Sequence, residues 1–408
     1  MDRLPLTDPD LYTNGVPHEY FRWLRDHEPV SWHEDPANGK GYWAVVRFDD
    51  VTAVSRNWQR YSNARPVSSI EDPPDEEAAQ SSGRIFTNQD PPEQARLRKL
   101  VSPSFTPGRL RGLVPLVEQT CTRLVDEMLD GGVVDMVRVG EDIALTMVAT
   151  ILGLPPSDWP EVLVAARAIS KFQDPACNPS GRPRHEVRRD YYEYAKDVIH
   201  QVRQDPDDYD GILPDLVRVE VADGLGGVDR LSDDELLVLF GVTVFGGVET
   251  TADVVAESAV ACMEYPGLFD VVAEVGECPR PVVEEFLRWR GPVVNFRRTA
   301  TEDHVLAGSD IRADDKVLML YPSANWDERH FPHPDVFDPT RDPNDHVGFG
   351  AGGPHFCLGA GLARLDIKLM FGELFRRVAR FEPAGEAVRL RANQFAGWSS
   401  VPVTAIAR

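Results

Sequence analysis

The sequence has few cysteines, a deficit of basic residues and no long apolar run, and each shortage excludes a class of protein. Its 43 Lys and Arg residues are outnumbered by 66 Asp and Glu residues, which gives a formal net charge of −23. A surface this acidic disfavours nucleic acid and anionic lipid, so neither is expected as a partner. No uninterrupted apolar run reaches roughly 18 residues and the first residues lack the apolar core of a signal peptide, so no membrane insertion is expected.

The five cysteines are widely spaced, and no two of them have the spacing of a zinc site or a redox motif. This usage is typical of a reducing compartment, so a cytoplasmic protein is expected. If a metal is present, no more than one cysteine is expected to hold it.

The pattern that the chain does have is mainly helical. Apolar residues recur at helical spacing over Val114–Leu129. Ser232 and Glu235 predict a capping box, and the segment from Leu236 is apolar on nearly every face, which is typical of a buried central helix. Strand-like segments are few and short, namely Tyr42–Arg47, Val317–Leu320 and Val401–Ile406. The fold class is therefore mainly α with a small β portion.

No segment divides the chain clearly. Ile70–Gly83 is rich in Pro, Asp, Glu, Gln and Ser, which predicts a loop or lid. No stretch has the length and composition of an interdomain linker, so residues 1–408 are expected to form a single domain.

The most informative stretch runs from Phe349 to Gly359 and places His355 and Cys357 in a glycine-rich loop before an apolar helical run. Glycines let backbone N–H groups approach a sulfur closely, and the N-terminus of a following helix favours negative charge. Both effects stabilise a thiolate, which can ligate iron. The alternative is a buried free cysteine after a glycine-rich turn, but the flanking Phe, Gly and His residues are too specific for it.

A second motif, Gly246-Gly-Val-Glu-Thr-Thr251, lies inside the apolar helical segment. Its two glycines leave room for a flat ligand against the helix. A threonine hydroxyl can bond the carbonyl four residues earlier and open a polar notch, and the neighbouring Glu249 offers a route for protons in an apolar site. The motif alone would more often be a helix kink with a solvent-facing glutamate.

The cysteine loop resembles that of the cytochrome P-450 family, with its Phe-Gly…Gly…His-x-Cys-x-Gly pattern, and other landmarks of the family follow in order along essentially the whole chain. The resemblance implies a fold in which haem b lies between a long central helix and the helix after the cysteine loop. It implies Cys357 as the proximal iron ligand in a loop that includes Phe349 and Gly359. It also implies that Thr250 orders water and that Glu249 relays protons, as the catalytic residues. The loop carries one residue more than the commonest bacterial form and, with Tyr321–Asp327, resembles actinobacterial enzymes that hydroxylate steroids and branched lipids.

The resemblance also implies residues that bind the haem propionates or support the cysteine loop. Its propionate donors match Arg98, Arg298 and His355, and Gln94 stands where many relatives have histidine. Glu285 and Arg288, three residues apart, would form a buried structural pair. The usual basic third member of that network corresponds to Val336, so either Arg341 substitutes for it or the network is smaller.

The substrate pocket is expected to be largely apolar and to suit a hydrophobic small molecule, although apolar residues of this kind are more often ordinary core. Asn295 adds a polar anchor. By family position the candidate lining residues are Ile85, Phe86, Val242, Phe245, Gly246, Val293, Val294, Phe296 and Phe395.

Three functions compete. The first is a monooxygenase that uses dioxygen and receives electrons from a ferredoxin, docked near Arg96, Lys99, Arg109 and Arg111, because the chain has no room for a flavin reductase. The second is a haem-thiolate carrier or sensor, although a binder needs no proton relay. The third is a Cys–His hydrolase, which is unfavourable because His355 and Cys357 would point to opposite sides of an extended loop. Hydroxylation, epoxidation, desaturation and coupling all remain open as outcomes of the first.

Overall fold

The structure is a computed structural model that describes the chain except residues 36–38, 40, 66, 73–83, 223–226, 266 and 274–276. The greater part of the predicted loop or lid at Ile70–Gly83 therefore lies outside the described residues.

Helices form most of the regular structure. Their bounds are α1 (His18–His27), α2 (Phe48–Arg56), α3 (Glu93–Val101), α4 (Pro107–Arg111), α5 (Val114–Leu129), α6 (Met136–Leu152), α7 (Trp159–Ser170), α8 (Arg184–Gln204), α9 (Leu213–Arg218), α10 (Asp233–Glu264), α11 (Leu268–Ala273), α12 (Arg280–Trp289), α13 (Tyr321–Asn325) and α14 (Ala360–Arg377). The helix predicted from apolar spacing over Val114–Leu129 is confirmed as α5.

The strands are short. Their bounds are β1 (Val30–His33), β2 (Tyr42–Val45), β3 (Tyr61–Ser62), β4 (Val134–Asp135), β5 (Val221–Ala222), β6 (Val228–Asp229), β7 (Asn295–Ala300), β8 (His304–Leu306), β9 (Ser309–Ile311), β10 (Lys316–Leu320), β11 (Val378–Pro383), β12 (Val388–Arg389), β13 (Trp398–Ser400) and β14 (Pro402–Ala407). The three strand segments predicted from the sequence are confirmed as β2, β10 and β14.

The chain divides into two compact units, each built from separate stretches of sequence. Unit 1 comprises Met1–Ala95, Glu284–Cys357 and Arg389–Ala396. Unit 2 comprises Arg96–Val283, Leu358–Val388 and Gly397–Arg408.

Unit 1 is organised by a five-stranded sheet in the order β1-β2-β10-β7-β3. β10 lies parallel to β2 and antiparallel to β7, and all five of its residues are buried. Val317 and Met319 pack into one hydrophobic cluster, whereas Leu318 and Leu320 pack into another. Because alternate residues of a strand point to opposite faces, β10 carries a core on both sides of the sheet.

Unit 2 is organised around α10. The predicted capping box is confirmed: the Ser232 hydroxyl accepts a hydrogen bond from the Glu235 N–H, and the Glu235 carboxylate accepts one from the Ser232 N–H. On α6, a Cβ added at Gly140 would lie 2.8 Å from Ala252 Cα of α10. A glycine is therefore required where these two helix backbones approach each other.

α10 is also, within the described part of the chain, the one helix long and apolar enough to cross a membrane. However, 67% of its apolar 18-residue window is buried inside the protein. It is therefore a core helix, as its apolar faces predict.

Candidate active site

The cysteine loop of unit 1 is held in shape by its own backbone and by α2. The Cys357 N–H donates to the Phe349 carbonyl at 3.0 Å. Gly353 has a φ of +80°, and a Cβ there would lie 2.6 Å from the Ser55 carbonyl oxygen. The Ser55 hydroxyl in turn donates to the Gly352 carbonyl at 2.9 Å. The glycines are thus needed both for left-handed backbone and for close contact with α2.

Cys357 differs from the other cysteines in its exposure. Cys121, Cys262 and Cys278 are buried and Cys177 is partly buried, whereas Cys357 is exposed. Burial raises the pKa of the Cys121 thiol to about 12 and raises the pKa values of the Cys262 and Cys278 thiols as well. An inert thiol in apolar surroundings is a poor ligand, so Cys357 is the cysteine suited to hold a metal.

Gln94 supports the cysteine loop. Its side chain is fully buried, and its Nε2 donates to the Pro354 carbonyl at 2.6 Å. The sequence assigned Gln94 to the haem-binding set, and the structure places its amide on the loop backbone. Gly359 lies at the N-cap of α14, which begins at Ala360, three residues after Cys357.

The propionate candidates are distributed between the two units. Arg298 lies on β7 in unit 1 and is 4% exposed, and its Nη1 donates to the Arg297 carbonyl at 2.9 Å. Among the described residues it forms no ion pair with a carboxylate, although a buried guanidinium needs a counter-charge. An anionic propionate fits this requirement, and burial lowers the pKa of Arg298 in the absence of such a partner. His355 is partly buried in the cysteine loop of unit 1, and Arg98 lies on α3 in unit 2.

The glycine-threonine motif of α10 makes the side-chain hydrogen bond that its sequence predicts. The Thr250 hydroxyl donates to the Gly246 carbonyl at 2.6 Å. A Cβ at Gly246 would meet nothing within 4 Å, whereas a Cβ at Gly247 would lie 2.7 Å from Val148 Cγ2 of α6. The expectation that both glycines leave room for a ligand was therefore half wrong. Gly246 opens space, and Gly247 is needed for helix packing.

Glu249 is buried and ion-paired, not solvent-facing. It is 1% exposed, and its Oε2 lies 2.9 Å from Lys171 Nζ. The same ammonium lies 2.8 Å from Asp253 Oδ1. Sequence reasoning missed both partners. Asp253 had a detectable signal because it lies four residues after Glu249 on the same helix face, but nothing local marked Lys171.

The Glu285–Arg288 pair is fully buried in unit 1. Arg288 donates twice to the Glu285 carboxylate, at 2.7 Å each. Arg341 Nε donates to Glu285 Oε2 at 3.2 Å, so this arginine is a member of the network. Asn344 and the Asp338 backbone N–H also donate to Glu285, both at 2.9 Å.

The pocket candidates of unit 1 fall into two groups. Val293 and Phe395 face each other in an isolated β-bridge. Phe296 packs edge-on against Tyr321 and is partly buried, as are Ile85 and Phe86. Val294, in contrast, is fully buried in a hydrophobic cluster of the unit. It is a core residue, so its assignment to the pocket was wrong.

Asn295 is buried beside these residues. Its Nδ2 donates to the Asn393 carbonyl at 2.8 Å. In the described part of the chain its Oδ1 has no hydrogen-bond partner. This amide oxygen is thus free to accept a hydrogen bond, as a polar anchor would.

The pocket candidates of unit 2 lie on one stretch of α10. Val242 and Phe245 are partly buried, and Gly246 is exposed. The Phe245 ring lies 4.9 Å from the Tyr191 ring of α8, so one side of Phe245 belongs to the packing between these helices.

Two of the basic residues expected to receive an electron donor are already neutralised within unit 2. Arg96 pairs with Asp229 and Glu235, and Arg109 pairs with Asp215. Lys99 and Arg111 remain as candidates for that surface.

Comparison with known proteins identifies the family. A model of the cytochrome P-450 family matches residues 280–397. A steroid C26-monooxygenase of Rhodococcus jostii is 32% identical over 401 residues, which cover 96% of this chain and 82% of that protein. A methyl-branched lipid omega-hydroxylase of Mycobacterium tuberculosis is 34% identical, over 94% of this chain and 90% of that protein.

Solved structures agree. A cytochrome P-450 of Mycobacterium marinum, solved in complex with pseudoionone, has a TM-score of 0.85 and 33% identity, and the match covers 99% of this chain and 98% of that one. The chain therefore belongs to the cytochrome P-450 family. It is a haem-iron monooxygenase, which uses dioxygen and takes its electrons from a redox partner.

Proposed function

We propose that the protein is a haem b monooxygenase that inserts one oxygen atom into a hydrophobic substrate, with Cys357 as the iron ligand and Glu249 and Thr250 as the proton-delivering residues. The observation that carries the proposal is the contrast among the cysteines, because Cys357 alone of the five is exposed, and it lies in a loop shaped by left-handed glycines. Haem bound through this thiolate would supply the activation of dioxygen.

The remaining residues of unit 1 hold the group and its loop. Arg298 gives a buried positive charge to a propionate, and His355 adds a donor from the loop. Gln94 and the glycines fix the loop backbone, with Phe349 accepting the Cys357 N–H. Arg98, in unit 2, supplies a further cation.

Proton delivery is assigned to α10. The Thr250 hydroxyl donates its proton to Gly246, so its oxygen lone pairs are available to accept a hydrogen bond from water. Glu249 is the adjacent buried acid. The pair can order a water molecule and transfer a proton to it, which a carrier or sensor protein would not need.

The test of this assignment is Thr250→Ala. We expect haem content and substrate affinity to be retained, while product per electron pair falls at least about tenfold because a general acid–base contribution is lost. The missing electrons are expected to appear as hydrogen peroxide, measured alongside product and reductant consumption.

Thr243→Ala is the matched control. Thr243 lies on the same helix and makes the same bond, from its hydroxyl to the Leu239 carbonyl at 2.8 Å. The proposal is supported if product per electron pair is normal in Thr243→Ala and reduced in Thr250→Ala. Equal product per electron pair in the two variants would mean that Thr250 has only a structural role.

The substrate class that we propose is a steroid, a branched lipid or a terpenoid-like natural product. Relatives named as acting on steroids, on methyl-branched lipid and on linalool support a hydrophobic substrate. So does the apolar character of the candidate lining residues, which are Ile85, Phe86, Val242, Phe245, Val293, Phe296 and Phe395. Burying a large apolar ligand is favourable at about 25 cal/mol per Å².

A ligand titration tests the substrate class. Purified protein is titrated with sterols, branched fatty acids, terpenoids and sugar-bearing or peptide natural products, and the spin state of the haem iron is followed by absorbance. We expect that a sterol, a branched fatty acid or a terpenoid binds tightly and converts the haem iron from low spin to high spin. A spin-state change caused only by the sugar-bearing or peptide compounds would overturn the proposed substrate class. Asn295 would then be the candidate polar anchor for such a substrate.

We further propose a ferredoxin as the electron donor, a cytoplasmic location and a single haem domain over residues 1–408. A ferredoxin is supported by the exposed basic residues Lys99 and Arg111 on an otherwise acidic chain. The single domain is supported by the course of the chain, which passes between the two units repeatedly.

A further inference from the structure

A buried lysine lies between two carboxylates in unit 2. Lys171 directly follows α7, and its side chain is 2% exposed. Its Nζ lies 2.9 Å from Glu249 Oε2 and 2.8 Å from Asp253 Oδ1. Glu249 and Asp253 are four residues apart on α10, so they present their carboxyls on the same helix face. The Lys171 ammonium therefore forms ion pairs with two carboxyl groups.

The local charge does not balance if every acid is ionised. Arg167, a partly buried cation that interacts with Glu249, donates to both carboxylate oxygens of Glu141. A buried charge without a partner is costly, and a second carboxylate on a single ammonium gives a net negative site. The state of lower free energy therefore has one proton bound to either Glu249 or Asp253.

Asp253 is the acid better placed to keep that proton. It is fully buried, and its Oδ2 has no hydrogen-bond partner among the described residues. A Cβ at Gly397 would lie 2.5 Å from Asp253 Oδ1, so the backbone there closes directly over the carboxyl. Burial raises the pKa of Asp253 to about 7, although Lys171 opposes this shift and Glu249 and Glu257 add to it.

Lys171 keeps its charge throughout. Burial opposes ionisation of the ammonium, but the attraction of Asp253 and Glu249 outweighs it and raises the pKa of Lys171. The charged groups that act on Asp253 are Lys171 and, on α10, Glu249 and Glu257. Cys177, on the segment after α7, interacts electrostatically with Lys171, Asp174, Glu249 and Asp253, and Arg167 of α7 interacts with Glu249.

We propose that Asp253 is a second proton-carrying carboxyl that reloads Glu249, and that Lys171 pairs with whichever of the two acids is ionised. This inference rests on the proposed role of Glu249 as a proton donor. In the reloading step a proton leaves the Asp253 carboxyl and binds the Glu249 carboxylate. Asp253 becomes the carboxylate, Lys171 stays an ammonium, and no electrons move.

The shared Lys171 ammonium lowers the free-energy cost of this proton transfer. Before the step Lys171 neutralises Glu249, and after it the same nitrogen neutralises Asp253, so no uncompensated charge is buried at either stage. The proton can therefore pass from the Asp253 carboxyl to the Glu249 carboxylate while Lys171 stays paired with a carboxylate throughout.

The first test is infrared spectroscopy of the ferric protein as a function of pH. A protonated Asp253 gives a carboxylic acid C=O stretch that shifts in deuterated water. We expect a band of this kind to disappear as the pH rises through about 7 and to be missing in Asp253→Asn. In Glu257→Gln the band should persist but disappear at a lower pH, because Glu257 contributes to the raised pKa of Asp253. Asp366 is also fully buried with a raised pKa, so its band forms a constant background in all variants.

The pH titration of the unaltered protein needs no variant, so it decides the matter even if Asp253→Asn does not fold. A spectrum of the unaltered protein without a carboxylic acid band that titrates near neutral pH would overturn the proposal. So would such a band that is unchanged in Asp253→Asn.

The second test is kinetic and separates this inference from the role of Glu249. Glu249→Gln is expected to slow the proton-dependent step by about 10²-fold or more, the scale of a general acid. Asp253→Asn is expected to slow it by about tenfold and to enlarge the solvent deuterium isotope effect, because reloading becomes limiting. Glu257→Gln should leave both quantities unchanged.

The outcomes are distinguishable. If Glu249→Gln is impaired while Asp253→Asn has the normal rate and isotope effect, the reloading role of Asp253 is excluded and Glu249 remains the donor. If Glu249→Gln turns over normally, the donor role and the reloading role that rests on it both fail.

Discussion

Cys357→Ser should produce a protein that folds but forms no detectable product. The substitution removes one sulfur atom from an exposed position, so little packing is lost. The Cys357 N–H can still donate to the Phe349 carbonyl, and the glycines still fix the loop. A serine hydroxyl, however, does not ionise near neutral pH and cannot replace a thiolate as an electron-donating iron ligand. Product formation with a ferredoxin system and the far-ultraviolet circular dichroism spectrum are the two measurements.

Cys177→Ser is the matched control, because Cys177 is the next most accessible cysteine. It should retain activity within a factor of about two, since the pKa of its thiol is raised by burial and it lies outside the loop. Activity retained in Cys357→Ser would move the ligand to another residue.

Glu285→Gln should be the most destabilising single change among the residues discussed. The Glu285 carboxylate accepts hydrogen bonds from Arg288, Arg341, Asn344 and the Asp338 backbone, and it is fully buried. An amide keeps the shape but removes the negative charge, which leaves two buried guanidinium groups without the carboxylate that pairs with them directly. Breaking a buried ion pair in this way costs about 3–5 kcal/mol in the free energy of unfolding.

Urea titration measures this loss as a lower transition midpoint with an unchanged slope. Glu302→Gln supplies the comparison, because Glu302 pairs with Arg60 at the surface, where both side chains are more than one-third exposed. Exposed pairs contribute only about 0–1 kcal/mol. Equal midpoints for the two variants would show that the Glu285 network is not a structural centre of unit 1.

The parts of the fold that follow from local pattern could be predicted from the sequence. Helical periodicity predicted α5, the Ser232 capping box predicted the start of α10, and short, mostly apolar runs predicted β2, β10 and β14. The functional motifs were also readable, because the chemistry of the cysteine loop and of the Glu249–Thr250 pair depends on residues close together in sequence.

Features that depend on distant residues could not be predicted. Lys171 is 78 residues before Glu249, and no local pattern distinguishes it from a surface lysine. Gly247 and Val294 were assigned to the ligand site because of their neighbours in sequence, whereas their packing is decided by Val148 and by a hydrophobic cluster of unit 1. Arg96 was expected to be available at the surface, but it pairs with Asp229 and Glu235.

The absorbance spectrum of the reduced, carbon-monoxide-bound protein tests the central assignment most directly. A thiolate ligand from Cys357 predicts the strongly red-shifted main band of haem-thiolate proteins in the unaltered protein, and its loss in Cys357→Ser. The assignment of Cys357 as the iron ligand is contradicted if the unaltered protein gives the spectrum of a histidine-ligated haem, or if the red-shifted band survives in Cys357→Ser.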